Sequence, residues 1–245
     1  GGLASLEDQT LGPGASSGAG QVQAECRTGA DADQREDCRM VAFINDIQGY
    51  WRREFKELGR PYTPATTVLF SGSTDTACGP ATEQTGPFYC PGDKKIYLDL
   101  GFFRTLQDQF GAQGGPFAEA YVVAHEYGHH VQDLAGISGR IDDASQRNPK
   151  KANQYSVALE LQADCYAGVV VGDANANGLL DSANEVNEAI AAAKGVGDDA
   201  IQMKTQGHID QDAWTHGSSQ QRQTWFMTGF SSMDPTTCDT FSEVL

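Results

Sequence analysis

His125, Glu126 and His129 are the residues of this chain whose types and spacing could do chemistry together. They stand in His125-Glu126-Tyr127-Gly128-His129, inside an apolar run that begins at Tyr121. On an α-helix, positions i and i+4 lie about 40° apart around the axis, so the two imidazoles project side by side and can bind one metal ion. Glu126 follows about 60° beyond His129 on the same half of the helix. Its carboxylate can reach a water on the metal without being a ligand, which is what a general base requires.

That reading needs a helix, and the flanking residues supply one. Phe117 to Leu134 contains no proline, Gly114-Gly115-Pro116 breaks the chain just before it, and Gly136 follows as a C-terminal stop. The one interior glycine, Gly128, costs a helix about 1 kcal/mol against alanine. It lies roughly opposite Glu126, so another element is expected to approach the helix closely there.

The H-E-x-x-H spacing is that of zinc hydrolases, and a catalytic zinc takes three protein ligands plus an open position. The third ligand is expected from a second helix. One group of zincins supplies a glutamate from Glu-x-x-x-Asp, and here that pattern reads Glu160-Leu161-Gln162-Ala163-Asp164. Glu160 and Asp164 share a helical face, so one carboxylate can bind the metal while the other orients a ligand histidine. Glu160 is the preferred ligand, with Asp164 as the supporting group or the alternative ligand. Cys165 points about 140° away from Glu160, which suits a disulfide behind the site. His130 faces away from the ligands and is expected as a supporting or surface residue. For the oxyanion, His216 in Thr215-His216-Gly217-Ser218 is the first candidate donor and His208 the second, with Arg222 set to bind Asp or Glu structurally.

Composition narrows the class. At 245 residues the chain can bury a substantial core. A formal net charge of -16 argues against nucleic acid, whose phosphates require clustered Lys and Arg. Six cysteines without a C-x-x-C pair read as disulfides of an exported protein. Proximity suggests Cys26 with Cys38, Cys78 with Cys90, and Cys165 with Cys238, although six cysteines allow 15 connectivities. The chain opens Gly1-Gly2 without an initiating methionine, and a processed or trimmed form is the expectation.

Residues 1–22, rich in Gly, Ala and Ser, are expected as a flexible tether, with residues 23–245 forming one catalytic domain. Val41, Ile44, Ile47, Trp51, Phe55 and Leu58 keep helical spacing over 33–58. Thr66–Phe70 and Lys95–Asp99 read as strands, joined by a loop carrying Cys78 and Cys90. A short helix over 102–110, a polar connecting loop from Ser145 to Asn153, and helices over 154–171, 183–194 and 218–229 complete the pattern. The fold class is α+β, mainly helical with a small sheet.

Several blocks together resemble the bacterial neutral zinc metallopeptidase family: Cys78-Gly79, Gly86-Pro87-Phe88-Tyr89-Cys90-Pro91, Ile96-Tyr97-Leu98-Asp99, the His125–His130 block, Leu159–Gly168, and Thr215–Ser218 with Gln221-Arg222. The resemblance implies a zincin-like fold and one catalytic Zn2+. It also implies peptidase activity on a peptide or protein, and an exported domain at the cell surface tethered by an N-terminal anchor that this chain lacks. A catalytically silent binding domain and a zinc amidase acting on cell-wall peptide are the alternative functions. One departure is Asp173-Ala174-Asn175-Ala176-Asn177-Gly178-Leu179-Leu180-Asp181, which mimics the start of a calcium loop with Asp173, Asn175, Asn177 and Asp181 as oxygen donors. Its twelfth position is Asn184 rather than glutamate. A plain turn is the competing reading.

Overall fold

The structure is a computed structural model that describes Cys26 and residues 29–102, 116–178, 183–242 and 244. The proposed tether and most of the 102–110 helix lie outside the described residues. In chain order the helices are α1 (Gly29–Gln34), α2 (Glu36–Glu57), α3 (Pro116–Leu134), α4 (Ile137–Arg147), α5 (Ala152–Ala176), α6 (Ala183–Gly195), α7 (Asp198–Gln206) and α8 (Ser219–Ser232). The strands are β1 (Thr66–Phe70), β2 (Ser73–Thr76), β3 (Gly79–Thr82), β4 (Phe88–Cys90) and β5 (Lys95–Asp99). The chain is thus mainly helical α+β, as its patterning indicates.

A three-stranded sheet runs β1-β5-β4, with β1 parallel and β4 antiparallel to β5, and β2 and β3 form a separate hairpin. Alternation along β5 divides the interior: Ile96 and Leu98 enter the helical core, while Tyr97 packs with Val68, Phe70, Ala81 and Cys90 on the other side. Met40, Ile44, Ile47, Trp51 and Phe55 of α2 join that helical core. Leu58, expected on the same face, is 65% exposed because the helix ends at Glu57.

The motif helix α3 and the buried helix α5 form the centre. Gly128 meets α5 as expected: a Cβ there would stand 3.0 Å from the Ala163 Cα. On its other side α5 presses against α8, where a Cβ on Gly168 would overlap the Phe226 carbonyl and one on Gly229 the Cys165 carbonyl. Small residues let these backbones approach closely enough to bring α8 side chains to the site, in an interior with little free volume. The buried Thr67 Oγ1 and Tyr127 hydroxyl, 2.8 Å apart, tie the sheet to α3.

Cys26–Cys38, Cys78–Cys90 and Cys165–Cys238 are all bonded, the pairing that proximity suggests. Other expectations need correction. Ser145 to Arg147 belong to α4 rather than to a loop, because Ile141 and Ala144 bury one face of that helix against Tyr155, Ala158 and Phe241. The proposed calcium loop is also not supported. Asp173 and Asn175 lie within α5, Asp173 pairs with Arg53 at 2.8 Å, and the Asn177 side chain donates to the Asp173 carbonyl. An oxygen cage needs these groups turned to a common centre, and the helix directs them elsewhere. Asp181 lies outside the described residues. Among the described residues no helix is long and apolar enough to cross a membrane.

Candidate metal centre

α3 and α5 bring His125, His129 and Glu160 into one cluster. His125 Nε2 lies 3.2 Å from Glu160 Oε2, and His129 Nε2 lies 3.3 Å from Glu160 Oε1. All three donor atoms fall within 4.8 Å of one another. Ligands about 2.0–2.1 Å from a tetrahedral zinc stand roughly 3.3 Å apart, so the Nε2–Oε spacings match the edges of such a site.

Electrostatics also favours a cation. Burial alone lowers the His125 pKa, but Asp164 and Glu160 outweigh it and push it up to about 10. His129 is raised against the same effect of burial, chiefly by Glu160. Burial pushes Glu160 up, yet the two imidazoles hold its carboxyl well below the usual range. Glu160 thus favours positive charge on both imidazoles, and a cation held between the three side chains would meet the same demand. The residues fit zinc.

Hydrogen bonds to the far ring nitrogens orient the two imidazoles. His125 Nδ1 lies 2.8 Å from Asp164 Oδ1; a carboxylate only accepts, so Nδ1 carries the proton and Nε2 presents its lone pair. Asp164 is fully buried and lies outside the His125–His129–Glu160 cluster, on the far side of the His125 ring. It accepts from the Tyr121 hydroxyl at 2.6 Å and from Arg222 through Nε at 2.8 Å and Nη2 at 2.9 Å. Ser218 and Gln221 set Arg222 in the first turn of α8 through a capping box: the Ser218 hydroxyl accepts from the Gln221 N–H, and the Gln221 side chain accepts from the Ser218 N–H.

Glu126 is buried and makes no ligand contact in the cluster. Burial raises its pKa, and the lowering influences of His125 and His129 do not cancel that rise. A carboxyl raised in this way is matched to taking up and releasing a proton. His130, for which a surface place was one expectation, is instead wholly buried. Its Nε2 donates to the Thr63 carbonyl at 2.7 Å, fastening α3 to the chain before β1.

His216 sits on the loop entering α8. That loop lies along α5: Ser156 Oγ donates to the Thr215 carbonyl at 2.9 Å, and a Cβ on Gly217 would touch Val157 and Leu161. The ring is 51% exposed on its side chain, with Nδ1 3.1 Å from Asp198 Oδ1. Asp198 organises the loop, its Oδ2 accepting from the backbone N–H groups of Thr215, His216 and Gly217 at 2.8, 2.7 and 3.0 Å. The second candidate, His208, is exposed and engages the carbonyl of Gln206, the last residue of α7, at 3.1 Å.

Asp198, Tyr121 and the two glutamines Gln132 and Gln162 are site residues that the spacing did not single out. Gln132, one turn beyond His129, carried a local signal, since its side chain lies 2.9 Å from His129 Nδ1. Asp198 carried none, because its partners lie 17 to 19 residues away.

The Asp198–His216 pair predicts a pH dependence. Burial raises Asp198, but the side-chain and backbone hydrogen bonds from His216 and the Gly217 N–H outweigh it and leave its carboxyl lowered. The hydrogen bond to Asp198 raises His216. The stabilisation from a lowered carboxyl is full above the unfolded value of about 3.9 and is lost as pH falls through the lowered one. The share from a raised histidine is full below about 6.5 and is lost as pH rises through the raised value. Asp198→Asn should therefore cost the metal-free protein more near pH ~5 than near pH ~9 by equilibrium unfolding. Equal costs at both would show that the pair is not coupled.

A mainly helical α+β fold that crosses two helices over a His-His-Glu cluster, with a buried glutamate beside it, has the architecture of a zinc metallopeptidase. The chain belongs to the family described as "Putative neutral zinc metallopeptidase", which matches residues 4–241. It is 48% identical over 227 residues to uncharacterized protein Rv2575 of Mycobacterium tuberculosis, covering 89% of this chain and 75% of that protein. It is 43% identical over 194 residues to uncharacterized protein YpfJ of Escherichia coli, covering 79% of this chain and 67% of that protein. No solved structure matches the chain.

Proposed function

We propose that the protein is a zinc-dependent peptidase whose metal is held by His125, His129 and Glu160. The observation that carries this reading is the spacing of their donor atoms, 3.2 and 3.3 Å, at the junction of α3 and α5. A zinc ion there supplies Lewis-acid polarisation of a carbonyl and acidifies a water. Glu126 takes the proton of the attacking water and delivers it to the leaving amine. His216, held through Nδ1 by Asp198, offers Nε2–H to the developing oxyanion when its ring is protonated, the form that the Asp198 hydrogen bond favours. Asp164, clamped by Arg222 and Tyr121, keeps His125 aimed, and the closed packing of α3, α5 and α8 keeps water from the back of the site. The three disulfides favour an oxidising compartment, consistent with an exported enzyme.

Metal analysis with a peptide-cleavage assay tests this. Wild type should carry one zinc per chain. Glu160→Ala should lose it on dialysis, whereas Asp164→Asn, which keeps an acceptor beside His125 Nδ1, should retain zinc at reduced affinity. Zinc retained in full by Glu160→Ala would remove Glu160 from the ligand set.

A further inference from the structure

His129 lacks the carboxylate that supports His125. Its Nδ1 meets Gln132 Oε1 at 2.9 Å, and Gln132 is itself completely buried. The Gln132 Nε2 donates twice, to the Leu159 carbonyl at 2.8 Å and to Gln162 Oε1 at 3.1 Å. Gln162 Nε2 in turn donates to the Cys238 carbonyl at 2.9 Å. Backbone carbonyls can only accept. The Cys238 carbonyl therefore fixes which way the Gln162 amide faces, and the Leu159 carbonyl with Gln162 Oε1 fixes Gln132. The oxygen of Gln132 is then turned to His129, whose Nδ1 must be the donor.

We propose that Gln132 and Gln162 form a one-directional hydrogen-bond relay that sets His129 as a metal ligand, its polarity imposed by the Leu159 and Cys238 carbonyls. Both glutamines are positioning residues. The relay holds the proton on Nδ1 and so leaves Nε2, on the Glu160 side, to give its lone pair to a metal, as Asp164 does for His125. The two histidines are thereby supported differently, one by a charged carboxylate and one by neutral amides. Partners of this kind set ligand orientation and basicity, and losing one typically costs about 10–100-fold in metal affinity. The far end of the relay is Cys238, bonded to Cys165 of α5, so the disulfide behind the site holds the carbonyl that sets the first amide.

This inference rests on the zinc reading, and the experiment separates the two. Zinc affinity of the full chain is measured by competition with a chromophoric chelator, alongside the 15N–1H signal of His129 Nδ1 in the zinc-loaded protein. Gln132→Met should weaken zinc by about 10–100-fold. Gln162→Met, which does not touch His129, should also weaken zinc and speed exchange of the Nδ1 proton with water. Gln48→Met, which removes a buried amide of α2 that accepts from the Tyr62 hydroxyl, should leave both readouts unchanged. Wild-type affinity in Gln162→Met, or an equal loss in Gln48→Met, overturns the relay. If Gln162→Met does not fold, the wild-type signal decides alone: an Nδ1 without a protected proton overturns it. A wild-type chain that binds no zinc overturns the metal reading itself and the relay with it.

Discussion

Glu126→Gln should abolish measurable peptide cleavage while leaving zinc content unchanged. The substitution keeps the size of the side chain and its place on α3, so the three ligand atoms, none of which belongs to Glu126, stay where they are. It removes the buried carboxyl beside the cluster, whose raised pKa suits it to accept a proton from water. A positioned general base contributes about 10²–10⁴-fold, and the loss should fall mainly in kcat because substrate contacts are unchanged. Zinc stoichiometry, kcat and KM on one peptide substrate check it. Undiminished kcat in a zinc-replete Glu126→Gln protein would show that another group moves the proton.

Arg222→Met should be the most destabilising single change at the site. Arg222 and Asp164 form a two-point pair in which the carboxylate is 0% and the guanidinium side chain 5% exposed. Burial raises Asp164, and Arg222 is the largest influence that overcomes it and leaves the carboxyl lowered. Removing one member of a buried pair typically costs about 3–5 kcal/mol, because the remaining charge is left without its partner. In the variant Asp164 is driven toward its neutral form, which weakens its hold on His125 Nδ1, so zinc affinity should fall too. Denaturant unfolding of the metal-free protein and chelator competition check the two effects. A stability loss below about 1 kcal/mol would mean that Tyr121 and His125 suffice to hold the carboxylate. The wild-type contribution is present above the unfolded aspartate value of about 3.9 and is lost as pH falls through the lowered value.

The amino-acid order by itself determined what is local. Helical periodicity places His125, Glu126 and His129 on one half of α3, and the same rule puts Glu160 and Asp164 on one face of α5. Gly128 announced a close contact, because a helix interior tolerates glycine poorly unless something needs the space. Cysteine spacing suggested the three disulfides. Elements with weaker local signals were missed. The β2–β3 hairpin and β4 lie in the stretch read as a loop, and α4 owes its helix to a buried face made with residues as distant as Phe241.

Tertiary structure alone decided the wiring. Arg222 is 58 residues from Asp164, Gln132 is 30 from Gln162, and Asp198 is 18 from the His216 ring it holds. Hydrogen bonds across such separations depend on how elements meet, and the close approaches are set at Gly128 for α3 on α5, at Gly168 and Gly229 for α5 on α8, and at Gly197 for the start of α7 on the start of α8. The mimicry of a calcium loop failed for the same reason: donor spacing in sequence does not converge on a centre when the backbone stays helical. The candidate ligands could be read along single helices. Which carboxylate faces both imidazoles was decided by α8, whose Arg222 occupies both oxygens of Asp164 and leaves Glu160 facing the histidines.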